Sequence, residues 1–176
     1  MNSLFQVRFD HLQYLLKEYQ DEIQGLNSEQ LNQKSEGGNW SIAEIIYHIS
    51  HAEKAIVQYI QKKLNNPSET KKAGFKSWYK ASLLRLALKS SRKFKAPKQL
   101  DEPKGPYHVD QLMEEWKTIR FALEETYHQV PEELIRHQLF KHPVVGKINL
   151  QQTLGFMADH MQRHLLQIRG IKKGIN

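Results

Sequence analysis

Phe5, Phe9, Leu12, Leu16, Tyr19, Ile23 and Leu26 recur at intervals alternating between four and three residues. On a strand that spacing would scatter them over both faces, whereas on an α-helix it gathers all seven into one buried stripe. Gly25 and the polar stretch from Asn27 to Asn39, with Gly37 and Gly38 as backbone breakers, mark the end of this first helix. A second helix over roughly 41 to 64 opens on a capping box, Ser41 with Glu44, and Trp40 ahead of the cap can staple onto Ile45. Its apolar face runs through Ile42, Ile45, Ile49, Ala52, Ile56 and Tyr59 until Asn65, Asn66 and Pro67 stop it.

A shorter amphipathic stretch from Phe75 to about Leu88, with Phe75, Trp78, Leu83 and Leu86 on one side, predicts an accessory helix. Pro97, Pro103, Gly105 and Pro106 follow as a stiff extended connection, which a simple up-and-down hairpin would not need but a crossover along a bundle would. Leu112, Trp116, Ile119, Leu123 and Val130 mark a third long helix closed by Pro131, and the interval from Pro131 to Lys147 reads as mostly irregular. Leu150, Leu154, Met157, Met161, Ile168 and Ile171 trace the fourth, ending near Gly170 to Gly174. With no sustained strand period and no repeat, the expected fold class is all-α: a four-helix bundle with a crossover connection and one short accessory helix, in a single domain spanning 1–176. A chain of 176 residues can bury such a core without disulfides.

The chain contains no cysteine, so it has neither a thiolate ligand nor a cysteine nucleophile of its own, and any thiol chemistry must borrow its thiol. Met1 to Asp10 lacks the basic start and apolar run of a signal peptide, and no run of about 18 apolar residues offers a membrane span, so a cytoplasmic location is expected. Ten Lys or Arg and no Asp or Glu stand between Lys71 and Lys98; the total is +7, and the rest of the chain sums to −3. The positive excess is one local patch.

His160 and His164 are four apart, so a helix presents their imidazoles together. Nine histidines in 176 positions would give about 0.4 such pairs by chance, so spacing alone is only a hypothesis. Position strengthens it. Counting about 100° per residue places both on one flank of the fourth helix's apolar stripe, and places His48 at the border of the second helix's stripe while His51 falls nearly opposite, toward solvent. Any one of these could be a boundary histidine hydrogen-bonded to its neighbours, the commoner fate of a lone imidazole. Three together form a standard open metal site, His48, His160 and His164, with a position left for water. Gln167, three residues past His164 on the same flank, could orient a ligand histidine or that water. Glu44 is already engaged by the capping box.

Other chemistries drop out. The segment His160-Met161-Gln162-Arg163-His164 lacks the glutamate base of zinc proteases, and there is no phosphate loop, dinucleotide fingerprint or serine elbow. Glu53 lies inside the second helix's apolar stripe and needs a partner; pairing with Arg120 and lining a pocket both remain open.

Trp40-Ser41, Glu44 and His48 on one helix, with His160-x-x-Arg163-His164-x-x-Gln167-Ile168 near the end and His142-Pro143-Val-Val-Gly146 before Leu150, resemble the DinB-like (YfiT-like) superfamily over nearly the whole chain. The resemblance implies a four-helix bundle of less common connectivity and a divalent metal ion, often nickel or zinc, on three histidines matching His48, His160 and His164. It also implies frequent homodimers. Some members resemble metal-dependent hydrolases, and others are thiol-dependent transferases or isomerases that use bacillithiol, mycothiol or glutathione. The expected function is therefore a metal-dependent enzyme acting on a small-molecule substrate by activating water or a low-molecular-weight thiol cosubstrate. The alternative is a non-catalytic bundle that binds metal, or that uses Lys71 to Lys98 with Trp78, Tyr79 and Phe94 on nucleic acid, although no recognised nucleic-acid module is present.

Overall fold

The computed structural model describes residues 3–35, 39–66, 70–89 and 102–175. Among these residues six α-helices follow one another: α1 (Ser3–Ile23), α2 (Ser28–Asn32), α3 (Ile42–Leu64), α4 (Phe75–Lys89), α5 (Val109–His128) and α6 (Leu150–Lys172). A 3-10 turn (Glu132–Leu134) and a two-stranded antiparallel hairpin, β1 (Phe140–His142) and β2 (Gly146–Ile148), lie between α5 and α6. The fold is all-α, as the periodicity predicts. Gly37, Gly38, Pro67, Phe94, Pro97 and the basic residues after Lys89 lie outside the described residues, as does the Phe75 side chain.

The long helices α1, α3, α5 and α6 form the bundle, and their relative directions follow from which residues meet. Glu53 meets Trp116 and Arg120, and Gln61 meets Thr126, so α3 and α5 run parallel. Arg8 lies beside Gly155 and Glu22 pairs with Arg169, so α1 and α6 also run parallel. Phe5 stacks on Tyr127 while Tyr19 meets Trp116 edge-on, which makes α1 and α5 antiparallel. A parallel α3–α5 pair requires the chain to travel back along the bundle. It does so: the Gly105 amide reaches the Glu44 carboxylate at the start of α3, at 3.4 Å, and the Tyr107 amide reaches the Asn32 side chain at the end of α2, at 2.8 Å.

All the apolar residues of the α1 stripe through Tyr19 are buried, and Ile42, Ile45, Ile49, Trp116, Leu123, Leu154, Met157 and Met161 join them in one continuous core. The capping box at Ser41 and Glu44 forms as expected, and Lys34 clamps the Glu44 carboxylate at 2.6 and 2.7 Å. Burial would raise the pKa of Glu44, but Lys34 and the Ser41 and Gly105 amides hold it below the usual carboxylate value. Inside the core Glu53 settles on Arg120, at 2.8 Å, and on the Trp116 indole, at 2.6 Å, resolving its partner; it does not line the candidate site. Among the described residues no helix is long and apolar enough to cross a membrane.

Three expectations need correction, and one residue gains a second role. The polar stretch from Asn27 to Asn39 contains a helix, α2, whose own capping box, Asn27 with Gln30, substitutes for length. The interval from Pro131 to Lys147 is more ordered than irregular, because Gly146, at φ +79, supplies the left-handed residue that lets His142 pair back with it in a hairpin. Three-residue strands are too short to show an alternating period. On α4 the apolar side is not buried: Trp78, Leu83 and Leu86 are exposed, since the helix packs on α6 through other residues. Finally, Trp40 does more than flank the cap, because its indole faces the histidines.

Candidate metal centre

His48 sits on the second turn of α3, placed there by the Ser41 cap, and His160 and His164 sit on successive turns of α6, whose start is fixed by an Asn149–Gln152 capping box. Both helix starts are set by local chemistry, so the height of each imidazole along the bundle is set with them. The structure brings the three predicted residues together: one ring nitrogen from each lies within 4.8 Å of the other two. The rings meet edge to face, with centroids 5.3 Å apart for His48–His160, 5.2 Å for His48–His164 and 4.7 Å for His160–His164.

The hydrogen bonds select a tautomer. Gln167 Oε1, an acceptor, lies 3.0 Å from His164 Nδ1, so that nitrogen carries the hydrogen and Nε2 presents its lone pair. Gln167 thus orients a histidine, as its position on the helix suggested. His164 Nε2 lies 3.2 Å from His160 Nε2. Two ligands at about 2.05 Å in tetrahedral directions around one ion would be about 3.3 Å apart, so this pair has the separation of a chelating edge. The donor set therefore fits a divalent transition-metal ion that accepts imidazole nitrogen.

Protonation also fits. Burial pushes His48 down to about 4 and His164 to about 3, the latter against a raising bond from Gln167; burial and the neighbouring imidazoles push His160 well below its ordinary value. All three are neutral at pH 7, the form that binds metal. Trp40 lies 4.8 Å from His48 and 6.4 Å from His164, and Phe156 stacks on His160 at 5.4 Å, so aromatic walls flank the cluster on two sides. Among the described residues no further His, Cys, Asp or Glu joins the three.

His51 stays outside the cluster, as the helical count required, but it is not a fully solvated residue. It is half-buried, stacked on Tyr47 at 3.8 Å, with Nδ1 donating to the Tyr47 carbonyl at 3.1 Å. Tyr47 stacks in turn on Tyr107 of the crossover, which closes over that side of α3.

Two residues near the site were not singled out from the sequence as site residues. Phe156 precedes His160 by one helical turn, a spacing that could have revealed it. His142 is buried against Phe156 at 4.4 Å, and its Nδ1 accepts the Val144 and Val145 amides at 3.1 and 3.3 Å. Its hydrogen therefore sits on Nε2, and burial holds its pKa near 4. Only the hairpin makes that visible.

The model of the DinB superfamily matches residues 11–168, a span that begins within α1 and takes in all three histidines. The chain is also similar to the uncharacterized protein YuaE of Bacillus subtilis (strain 168), with 31% identity over 155 residues, covering 88% of this chain and 91% of that protein. No solved structure matches it. With a bundle whose crossover separates its parallel helices, a three-histidine cluster and a family match across most of its length, this chain belongs to the DinB superfamily.

Proposed function

We propose that this protein is a metal-dependent enzyme in which His48, His160 and His164 hold one divalent ion, zinc or nickel. The observation that carries the reading is the convergence of three neutral imidazoles, and no fourth charged or thiol donor among the described residues, on one point beneath Trp40. Three protein ligands leave coordination open, which is the form of a catalytic site, whereas structural zinc sites use four. A bound ion supplies Lewis acidity, which lowers the pKa of a water or thiol in its open position, for water to about 7 in favourable sites.

The chain's own residues do the rest. Gln167 fixes the tautomer of His164, and Trp40 and Phe156 pack against the imidazoles as apolar walls. Without cysteine the nucleophile comes from outside, as water or as a low-molecular-weight thiol cosubstrate, for hydrolysis of or transfer to a small electrophile. Transfer is the narrower proposal, and a homodimer in the cytoplasm, each chain a single domain with one centre, is the setting proposed for it.

The test is elemental analysis of protein purified without a metal-affinity tag, beside His48→Ala, His160→Ala and His164→Ala. About one equivalent of metal in the parent and its loss from each variant is expected; unchanged content in all three would overturn the site. Assays of the metal-loaded protein with several thiols and electrophiles then decide the reaction, and absence of any thiol-dependent turnover would remove the transferase reading. Trp78 and Tyr79, exposed on basic α4, favour nucleic acid as a second reading. Retention on DNA that disappears near physiological salt would reduce that to electrostatic background.

A further inference from the structure

A cavity of about 240 Å³ opens between the start of α1, α4 and the first two turns of α6. Its walls include Arg8, Trp78, Arg85, Gln151 and Gly155. Counting along α6, Gly155 and Asp159 point about 100° or more away from His160 and His164, so the cavity and the histidine cluster occupy different faces of that helix.

Its polar groups are poorly satisfied by the protein. Arg8 Nε and both ends of the Gln151 amide, Nε2 and Oε1, are shielded from solvent and have no hydrogen-bond partner. Buried polar atoms in native proteins are paired in the great majority of cases, so three orphans around one cavity call for a specific account. Burial and the nearby Arg85 charge lower the Arg8 pKa, against a smaller raising effect of Asp159. Among the described residues Asp159 is the carboxylate whose charge acts on Arg8, and it is bound to Arg85 Nε at 2.8 Å. Arg8 therefore feels Asp159 only as a carboxylate already bound to Arg85, and its own Nε stays unpaired. A Cβ at Gly155 would lie 3.1 Å from Arg8 Nη1, so an alanine there would make the guanidinium give way by a few tenths of an ångström.

We propose that this cavity is a binding site, separate from the histidine centre, for a small organic carboxylate that also carries a hydroxyl or amine hydrogen. A guanidinium presents parallel N–H groups that match the two oxygens of a carboxylate. The Gln151 amide offers one donor and one acceptor, so it completes a ligand that has both an acceptor oxygen and a donor hydrogen. Trp78 forms an apolar wall for the carbon skeleton. Asp159 acts on Arg8 without lining the cavity, and its pairing with Arg85 limits the repulsion it exerts on an anion.

The test is calorimetric titration of the full-length protein, as purified, with lactate, acetate and inorganic phosphate, repeated on Arg8→Gln, Gln151→Leu and His160→Ala. Saturable lactate binding, weaker by about tenfold or more in R8Q and in Q151L and unchanged in H160A, is the expected result, with acetate and phosphate both weaker than lactate. Lactate binding lost in H160A but retained in R8Q would mean that the ligand sits on the metal and would overturn the proposal. Phosphate binding as tightly as lactate would overturn the carboxylate assignment, and failure of lactate to saturate in the parent would overturn the site itself. Should R8Q fail to melt cooperatively, Gly155→Ala, which crowds Arg8 Nη1, takes its place, and lactate affinity unchanged in that variant counts against the proposal.

Discussion

The Tyr19 hydroxyl donates at 2.8 Å to the backbone carbonyl of Met161, the residue that follows His160. One buried phenol thus pins α1 to the turn of α6 that carries the candidate ligands. Burial pushes the Tyr19 pKa well above its ordinary value, so the group remains a donor throughout the usable pH range. Tyr19→Phe should destabilise the protein by about 1 kcal/mol, the net worth of an ordinary buried hydrogen bond, as read from urea unfolding. A change below a few tenths would mean that the helix register is held entirely by packing.

Gln167→Leu should lower metal affinity by about 10- to 100-fold while leaving the helical circular dichroism unchanged. The reason is that Gln167 is exposed on α6, yet its Oε1 is the atom that keeps hydrogen on His164 Nδ1 and the lone pair on Nε2. Competition against a chromogenic chelator measures the effect, and equal affinity in both proteins would show that the tautomer is fixed without it.

Acid should unfold the metal-free protein through its histidines. His48 and His164 have folded values of about 4 and about 3, below the 6.5 of the unfolded chain. Above about pH 6.5 both states are neutral and pH has no leverage. As pH falls further the unfolded chain takes up protons first, so stability declines from about 6.5 toward 4, at up to about 1.4 kcal/mol per pH unit for each such histidine. Unfolding midpoints at pH 7, 6 and 5 in the presence of a chelator test this, and a flat profile would contradict it. Metal at 1,000 times its dissociation constant should add about 4 kcal/mol at pH 7, an increment that disappears as protons displace the ion.

Glu53→Gln should cost about 3–5 kcal/mol, because it leaves the Arg120 charge buried without its carboxylate. Burial already pushes the Glu53 carboxyl up, and Arg120 and the Trp116 indole pull it back. The double variant Glu53→Gln with Arg120→Met should recover most of the loss in urea unfolding. If it does not, the pair contributes more than it costs in desolvation.

How much of this was legible beforehand depended on whether a residue's role follows from its own helix. The α1, α3, α5 and α6 stripes did, and so did the separation of His48 from His51, because burial of an amphipathic helix repeats at 3.6 residues. A buried Glu53 could be foreseen from the same count, but the choice of Arg120 belongs to the packing of α3 on α5, which no local pattern encodes. The α4 face misled for the opposite reason: Trp78, Leu83 and Leu86 have a helical spacing with no bundle surface to receive them. Trp40 shows the limit in one residue. Its place before the Ser41 cap was readable, whereas its position over His48 depends on where α6 brings His164.

His48 and the α6 pair are separated by the whole crossover, and this sets an order on the ribosome. At synthesis rates of about 5–20 residues per second, His48 emerges on the order of ten seconds before His160. Through that interval its nearest imidazole is His51, which lies on another side of the same helix and outside the cluster, so no local donor pair is in place. If the cluster holds metal as proposed, loading must wait until α6 has docked, so a filled site would certify a finished bundle, and metal content would double as a count of correctly assembled molecules.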